Sequence, residues 1–359
     1  GGNRRASLVF KAPTGAGKTI MAAEFLRRIS GDMQFDADKA FIWVSFNEDS
    51  YEQSKKSLFD YLNGGVANVN LLDLNHLNNG FLQKNDVFFI NWQKIVSQAK
   101  ENRKLRNDGE ANISFDTFVA NTHDQGREIV LIVDEAHLSK DTALAEDVIT
   151  MINPRVEIHI SATPKYIPNM EEERELKAGF VSVSHEKVVE EGLIKEAVEV
   201  MPEEEILALE MNQERDLDEL LLDLAIQKKK ELEVEYAKYA SQINPLILIQ
   251  LPNDEKEKDS TEGQSKLDFT KGYLKELGYE ESEIAIWLSE KKENLEEITK
   301  NNSPINFLIF KQAAATGWDC PRAQVLVMFR EIKSPIFKTQ VIGRTLRMPE
   351  AKHYPVALL

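Results

Sequence analysis

The chain has 359 residues, 42% hydrophobic and 8% aromatic, with a formal charge of −16 at pH 7. That length exceeds what one core usually fills, so two domains are expected, and the composition is ordinary for a globular protein. No apolar run reaches bilayer length, no signal-peptide pattern opens the chain, and a lone cysteine, Cys320, excludes an internal disulfide, so a reducing cytoplasm without a membrane partner is expected.

Net acidity opposes phosphate binding, which is driven by Lys and Arg. The acidity is concentrated, however. Residues 171–240 hold about 21 acidic against about 9 basic side chains, which leaves the remainder only mildly acidic. The chain opens at Gly1 without methionine, and its last six residues read like a strand cut short, so a piece of a longer polypeptide is expected.

In chain order, residues 6–10, 40–45, 87–91, 129–133 and 156–160 are continuous or nearly continuous apolar runs. Such runs suit strands buried on both faces of a parallel sheet. Helical stretches at 18–29, 50–62 and 140–152 fall between them, the alternation of a doubly wound α/β sheet. From 169 to 240 the composition shifts to Glu, Leu and Lys. There Leu217, Leu220, Leu221, Leu224 and Ile226 predict the apolar stripe of an amphipathic helix that continues toward Tyr239. A second alternation starts at 245–249 and resumes at 305–310 and 325–329, with a helix expected near 336–346. The charged stretch 253–264 predicts an exposed loop. The expected divisions are a first lobe at 1–169, an acidic helical linker at 170–240 and a second lobe at 241–359.

Ala12-Pro13-Thr14-Gly15-Ala16-Gly17-Lys18-Thr19 follows an expected strand and opens an expected helix, the context that a phosphate-binding loop requires. Thr14, Gly15, Ala16 and Gly17 would turn backbone N–H groups onto phosphates, Lys18 would reach the β- and γ-phosphates of ATP, and the Thr19 hydroxyl would help hold Mg2+. Ala12 stands where the strict pattern has glycine. About a hundred residues later, Leu131-Ile132-Val133-Asp134-Glu135 ends a buried run in two carboxylates. Asp134 suits the metal, and Glu135 suits the general base for an attacking water. Arg344 and Arg347 are three apart, so on a helix they share a face and can point together at developing phosphate charge.

Asp134-Glu135-Ala136-His137 resembles the D-E-A-H box of superfamily 2 helicases, and Ser161-Ala162-Thr163 resembles their S-A-T motif. Ala315-Thr316-Gly317-Trp318-Asp319 resembles motif V, and the run from Gln340 through Gly343-Arg344 to Arg347 resembles the Q-x-x-G-R-x-x-R of motif VI. The resemblance implies two RecA-like doubly wound parallel-sheet lobes with an ATP site at their interface. It implies that Gly317, Asp319 and Gln340 lie near the nucleotide, that Arg344 and Arg347 act as arginine fingers, and that His137, Ser161 and Thr163 couple hydrolysis to nucleic acid. Gly317-Trp318-Asp319-Cys320-Pro321-Arg322-Ala323, Phe329-Arg330-Glu331 and Phe89-Ile90-Asn91-Trp92-Gln93-Lys94 are similar to segments of the Res subunit of type III restriction enzymes.

That narrower resemblance implies an ATP-dependent DNA translocase that works with a modification (methyltransferase) subunit, with RNA as the alternative track. No carboxylate–lysine cluster of a nuclease is evident, so nuclease activity is not expected. Rival readings are a motor of another defence, repair or RNA-processing assembly, and an ATP-operated clamp that does not travel. Asn91, Trp92 and Gln93 are candidate nucleic-acid contacts, with Trp92 available for base stacking unless it packs in the core. The histidines show no metal-ligand spacing with Cys320, which reads as a small loop residue without an activating base.

Overall fold

A computed structural model describes residues 6–31, 38–45, 48–62, 69–76, 79–95, 114–134, 143–174, 178–195, 198–211, 215–239, 241–252, 262–288, 291–311, 318, 320–329, 342, 345 and 347–349. The chain divides into two compact units, Gly1–Pro13 with Gly17–His185, and Thr14–Ala16 with Glu186–Leu359.

The first unit is built on a sheet of seven parallel strands in the order β3-β4-β2-β5-β6-β1-β7. These are β1 (Ala6–Lys11), β2 (Lys39–Ser45), β3 (Asn70–Leu72), β4 (Asp86–Asn91), β5 (Glu128–Asp134), β6 (Val156–Ser161) and β7 (Ala178–Ser182). The connecting helices are α1 (Lys18–Gly31), α2 (Glu48–Leu62), α3 (Trp92–Ile95), α4 (Phe115–Asp124), α5 (Ala143–Ile152) and α6 (Met170–Arg174). Along β2, Phe41 and Trp43 join one core with α1 residues Ala23 and Leu26, whereas Ala40, Ile42 and Val44 join the opposite core with Phe118 and Val148. Both faces are therefore covered, which is why alternation disappears and the strand reads as an unbroken apolar run.

The second unit carries a five-stranded sheet in the order β10-β9-β11-β8-β12, parallel except for β10 at its edge. Its strands are β8 (Leu246–Gln250), β9 (Ile284–Trp287), β10 (Lys292–Glu293), β11 (Phe307–Phe310) and β12 (Ala323–Met328). Its helices are α7 (His185–Glu190), α8 (Glu203–Glu210), α9 (Leu217–Lys238) and α10 (Glu262–Glu276). Ile247, Ile249, Phe307, Ile309, Val325 and Val327 form one core with α9 and α10, and Leu246, Leu248, Leu308 and Phe310 form the other.

Several sequence expectations need correction. β7 is a strand of the first sheet, although it lies in the stretch expected to be helical: it pairs with β1 from Ser7↔Ala178 to Lys11↔Ser182. Its five residues, Ala-Gly-Phe-Val-Ser, are too few to show a period. The buried stripe of α9 is Leu222, Ala225, Ile226, Lys229, Leu232 and Tyr236; of the expected stripe it keeps Ile226, with Leu221 packed against the same core, while Leu217, Leu220 and Leu224 are only half-buried. A helix start so rich in leucine fits several phases, and packing on the second sheet selects one. Residues 262–264 of the expected loop begin α10, and most of the expected helix at 336–346 lies outside the described residues.

Candidate nucleotide site

Parallel strands bring the first unit's chemistry-bearing residues to one edge, the carboxyl ends of the strands. β1 pairs with β6 up to Lys11↔Ser161, and β6 pairs with β5 up to Asp134↔Ile160. The loop after β1 and the end of β5 are thus two strand spacings apart, about 10 Å. Crevices at the carboxyl ends of such strands are where open α/β sheets bind ligands.

The loop itself is shaped by glycine. Gly15 and Gly17 have φ of +86° and +76°, backbone conformations that a side chain disfavours and that turn successive N–H groups toward one point. α1 begins at Lys18 directly afterwards, and a first helical turn leaves N–H groups without intrahelical partners. The Lys18 side chain is buried and its Nζ donates to the Pro13 carbonyl at 3.4 Å, so the ammonium folds over its own loop. The loop is tied to the S-A-T turn: Ala12 N–H donates to the Ser161 carbonyl at 3.2 Å, and Ser161 Oγ accepts from Thr163 N–H at 3.1 Å.

Asp134 is buried at the end of β5. Ser54 of α2, itself buried, donates its hydroxyl proton to Asp134 Oδ2 at 2.8 Å. Sequence reasoning missed Ser54, because a serine inside a helix eighty residues away carries no local signal. An anion-binding loop, a lysine, a hydroxyl at Thr19 and a buried carboxylate on one sheet edge fit a nucleoside triphosphate with its divalent cation. Glu135, His137, Gly317, Asp319, Gln340 and Arg344 lie outside the described residues. Among the described residues no group of three or more His, Cys, Asp or Glu side chains could hold a metal by itself. No described helix is long and apolar enough to cross a membrane.

Trp92 does not fit the stacking role. It is 3% exposed and packs with Ile90, Phe115 and Val133 in the core, so its ring faces are already covered. Asn91 Oδ1 accepts from Gln93 N–H at 2.8 Å, and Gln93 alone of the three is exposed.

In the second unit, Trp318 of the motif V segment is buried edge-on to Trp287, with ring centroids 5.9 Å apart and an interplanar angle of 84°. Cys320 is buried as well, and that burial pushes its thiol up to about 11, so it is an inert packing group. Arg347 is partly buried and pairs with Ile194 in an isolated antiparallel bridge.

Residues 2–166 match the family described as the res subunit of type III restriction enzymes. Among solved structures, the chain is similar to S. cerevisiae Dbp5 bound to RNA and ADP BeF3, at 14% identity and a TM-score of 0.53, covering 99% of this chain and 79% of that one. It is similar to the ATP-dependent type ISP restriction-modification enzyme LlaBIII bound to DNA, at 14% identity and a TM-score of 0.54, covering 98% of this chain and 26% of that one. It is also similar to the Mycobacterium smegmatis helicase Lhr bound to ssDNA and AMP-PNP, at 13% identity and a TM-score of 0.54, covering 94% and 42%. No curated protein matches the chain by sequence. Residues 2–166 resemble the res subunit of type III restriction enzymes, and the chain as a whole shares the α/β fold of these helicase and restriction-enzyme structures.

Proposed function

We propose that the chain hydrolyses ATP with Mg2+ to move along DNA, as the motor of a Res-like subunit that works with a modification subunit in the cytoplasm. In this reading lobes at 1–169 and 241–359, joined by 170–240, close on ATP. The observation that carries it is the convergence of the loop 12–19, Asp134 and Ser161 on one edge of one parallel sheet, inside the segment that resembles Res.

Backbone N–H groups of 14–17 and the Lys18 ammonium would hold the phosphates, and Thr19 and Asp134 would hold the cation. Mg2+ supplies Lewis-acid neutralisation of phosphate charge when bound. Glu135 would take the proton of the attacking water, and Arg344 and Arg347 would neutralise charge on the transferring phosphoryl group. Gly317, Asp319 and Gln340 would border the nucleotide, while His137, Ser161 and Thr163 would transmit its state to the nucleic acid. The hydrogen bond from Ala12 N–H to the Ser161 carbonyl supports that last role, since it joins the phosphate loop to the S-A-T turn. Gln93 and Asn91 are retained as nucleic-acid contacts, without Trp92.

The test is steady-state ATP hydrolysis with no nucleic acid, duplex DNA, single-stranded DNA or RNA. Stimulation by DNA above the other conditions is expected. Stimulation by RNA alone would make the chain an RNA motor, and equal rates in all four would favour a clamp that does not travel.

A further inference from the structure

Lys195 is 1% exposed, yet nothing in the nucleotide chemistry above uses it. α7 ends at Glu190, and Gly192 just past it, with φ of +66°, permits a Schellman ending: Gly192 N–H donates to the Val189 carbonyl at 2.8 Å and Leu193 N–H to the Val188 carbonyl at 3.1 Å. The chain leaving that turn runs antiparallel to the motif VI segment, with Ile194 paired to Arg347. One residue on, Lys195 Nζ donates to the Thr345 carbonyl at 2.6 Å.

Thr345 lies two residues before Arg347, the bridge residue. Two carbonyls just before Arg347 accept from side chains: Thr345 Oγ1 donates to the Ile342 carbonyl at 2.8 Å, and Lys195 donates to the Thr345 carbonyl. Burial pushes the Lys195 amine well below its ordinary range, and among the described residues no carboxylate pairs with it. A buried amine without a carboxylate is poor evidence of a stabilising role, because an apolar side chain of similar volume often serves stability as well or better.

We propose that Lys195 is a positioning residue for Arg347: it anchors the Thr345 carbonyl two residues before Arg347, while Ile194 pairs with Arg347 itself, and together they set where Arg347 lies. Its effect on rate rests on the ATPase reading, whereas its hold on the segment around Thr345 does not.

The test compares Lys195→Met, Lys195→Gln, Arg347→Ala and the Lys195→Met/Arg347→Ala double variant with the unaltered chain. Lys195→Met should leave the melting temperature equal or higher, yet lower kcat by about tenfold or more with little change in the KM for ATP. Lys195→Gln, which keeps a donor, should recover part of that loss. The double variant should be no slower than Arg347→Ala alone. Independently of catalysis, hydrogen exchange in peptides covering 342–349 should be at least about tenfold faster in Lys195→Met. Unaltered exchange there overturns the proposal, as does unaltered kcat in a chain that Arg347→Ala slows. Were the unaltered chain inactive on ATP, the proposed function would fall while the exchange measurement still decided whether Lys195 anchors this segment. Were Lys195→Met to misfold, Lys195→Gln would decide it by the same exchange and rate readouts.

Discussion

At the scale of single residues, Lys18, Ser54 and Cys320 are all buried polar groups, and their surroundings give them different parts. Lys18 rests on the Pro13 carbonyl, a contact that a phosphate would replace with a stronger charge-assisted one. Lys18→Ala should therefore abolish ATP hydrolysis, measured as phosphate release, and full turnover in that variant would refute the site. Ser54 holds one oxygen of Asp134, as outer partners of metal-binding carboxylates do. Ser54→Ala should raise the Mg2+ concentration needed for half-maximal hydrolysis by roughly tenfold. A titration of rate against Mg2+ at saturating ATP checks this, and an unshifted midpoint would reduce Ser54 to packing. Cys320 has a thiol raised by burial from 9.0 to about 11. Between those values the unfolded chain has lost a proton that the folded chain keeps, so its contribution to stability is complete below pH 9 and is lost as pH rises toward 11. The slope is about −1.4 kcal/mol per pH unit. Urea unfolding at pH 9, 10 and 11 should show this slope in the stability difference between the unaltered chain and Cys320→Ala, and a difference independent of pH over that range would refute the shift.

At the scale of elements, the ends of strands and helices are held by buried side chains that reach across loops. Arg322, fully buried at the start of β12, donates from Nε to the Ile298 carbonyl at 2.7 Å and from Nη1 to the carbonyls of Asn244 and Ile305 at 2.8 and 3.0 Å. One guanidinium thus ties the entries to β8, β11 and β12 together. Arg322→Ala should cost about 3 kcal/mol or more, because several buried carbonyls lose their donor at once. A chemical denaturation midpoint measures this, and a loss below about 1 kcal/mol would mean that the loops satisfy themselves. α9 shows the opposite dependence on context. Asp216 caps its first turn by accepting from Asp218 N–H at 2.8 Å, a local signal. Which of its faces is buried follows from contact with β8 and β12, which no local signal contains.

At the scale of the whole molecule, the charge of −16 argues against nucleic acid only while it is treated as uniform. Acidic residues crowd 171–240, and the phosphate loop lies elsewhere in the chain. Ligand binding offers a measure of the folded chain that needs no turnover. A non-hydrolysable ATP analogue with Mg2+ at a hundredfold its Kd should stabilise the protein by about 2.7 kcal/mol. Thermal unfolding should show the shift in the unaltered chain and its loss in Lys18→Ala. A shift of equal size in Lys18→Ala would mean that the analogue binds elsewhere.

The sequence by itself determined the long buried strands of the first sheet, because a strand covered on both faces must be apolar at every position, and 40–45 and 129–133 are. It also determined the glycine loop between β1 and α1, because glycines followed by Lys18 at the start of a helix are a contiguous signal. Tertiary structure alone decided the strand order, the place of β7 at the sheet edge and the phase of α9, since these depend on contacts between residues far apart in the chain. The same holds for Trp92: its position after a strand is compatible with stacking or packing, and only the core around Phe115 and Val133 assigns it to packing. Ser54 beside Asp134 and Lys195 beneath Thr345 were invisible for the same reason, a single polar side chain having no periodicity and its partner lying 80 or 150 residues away.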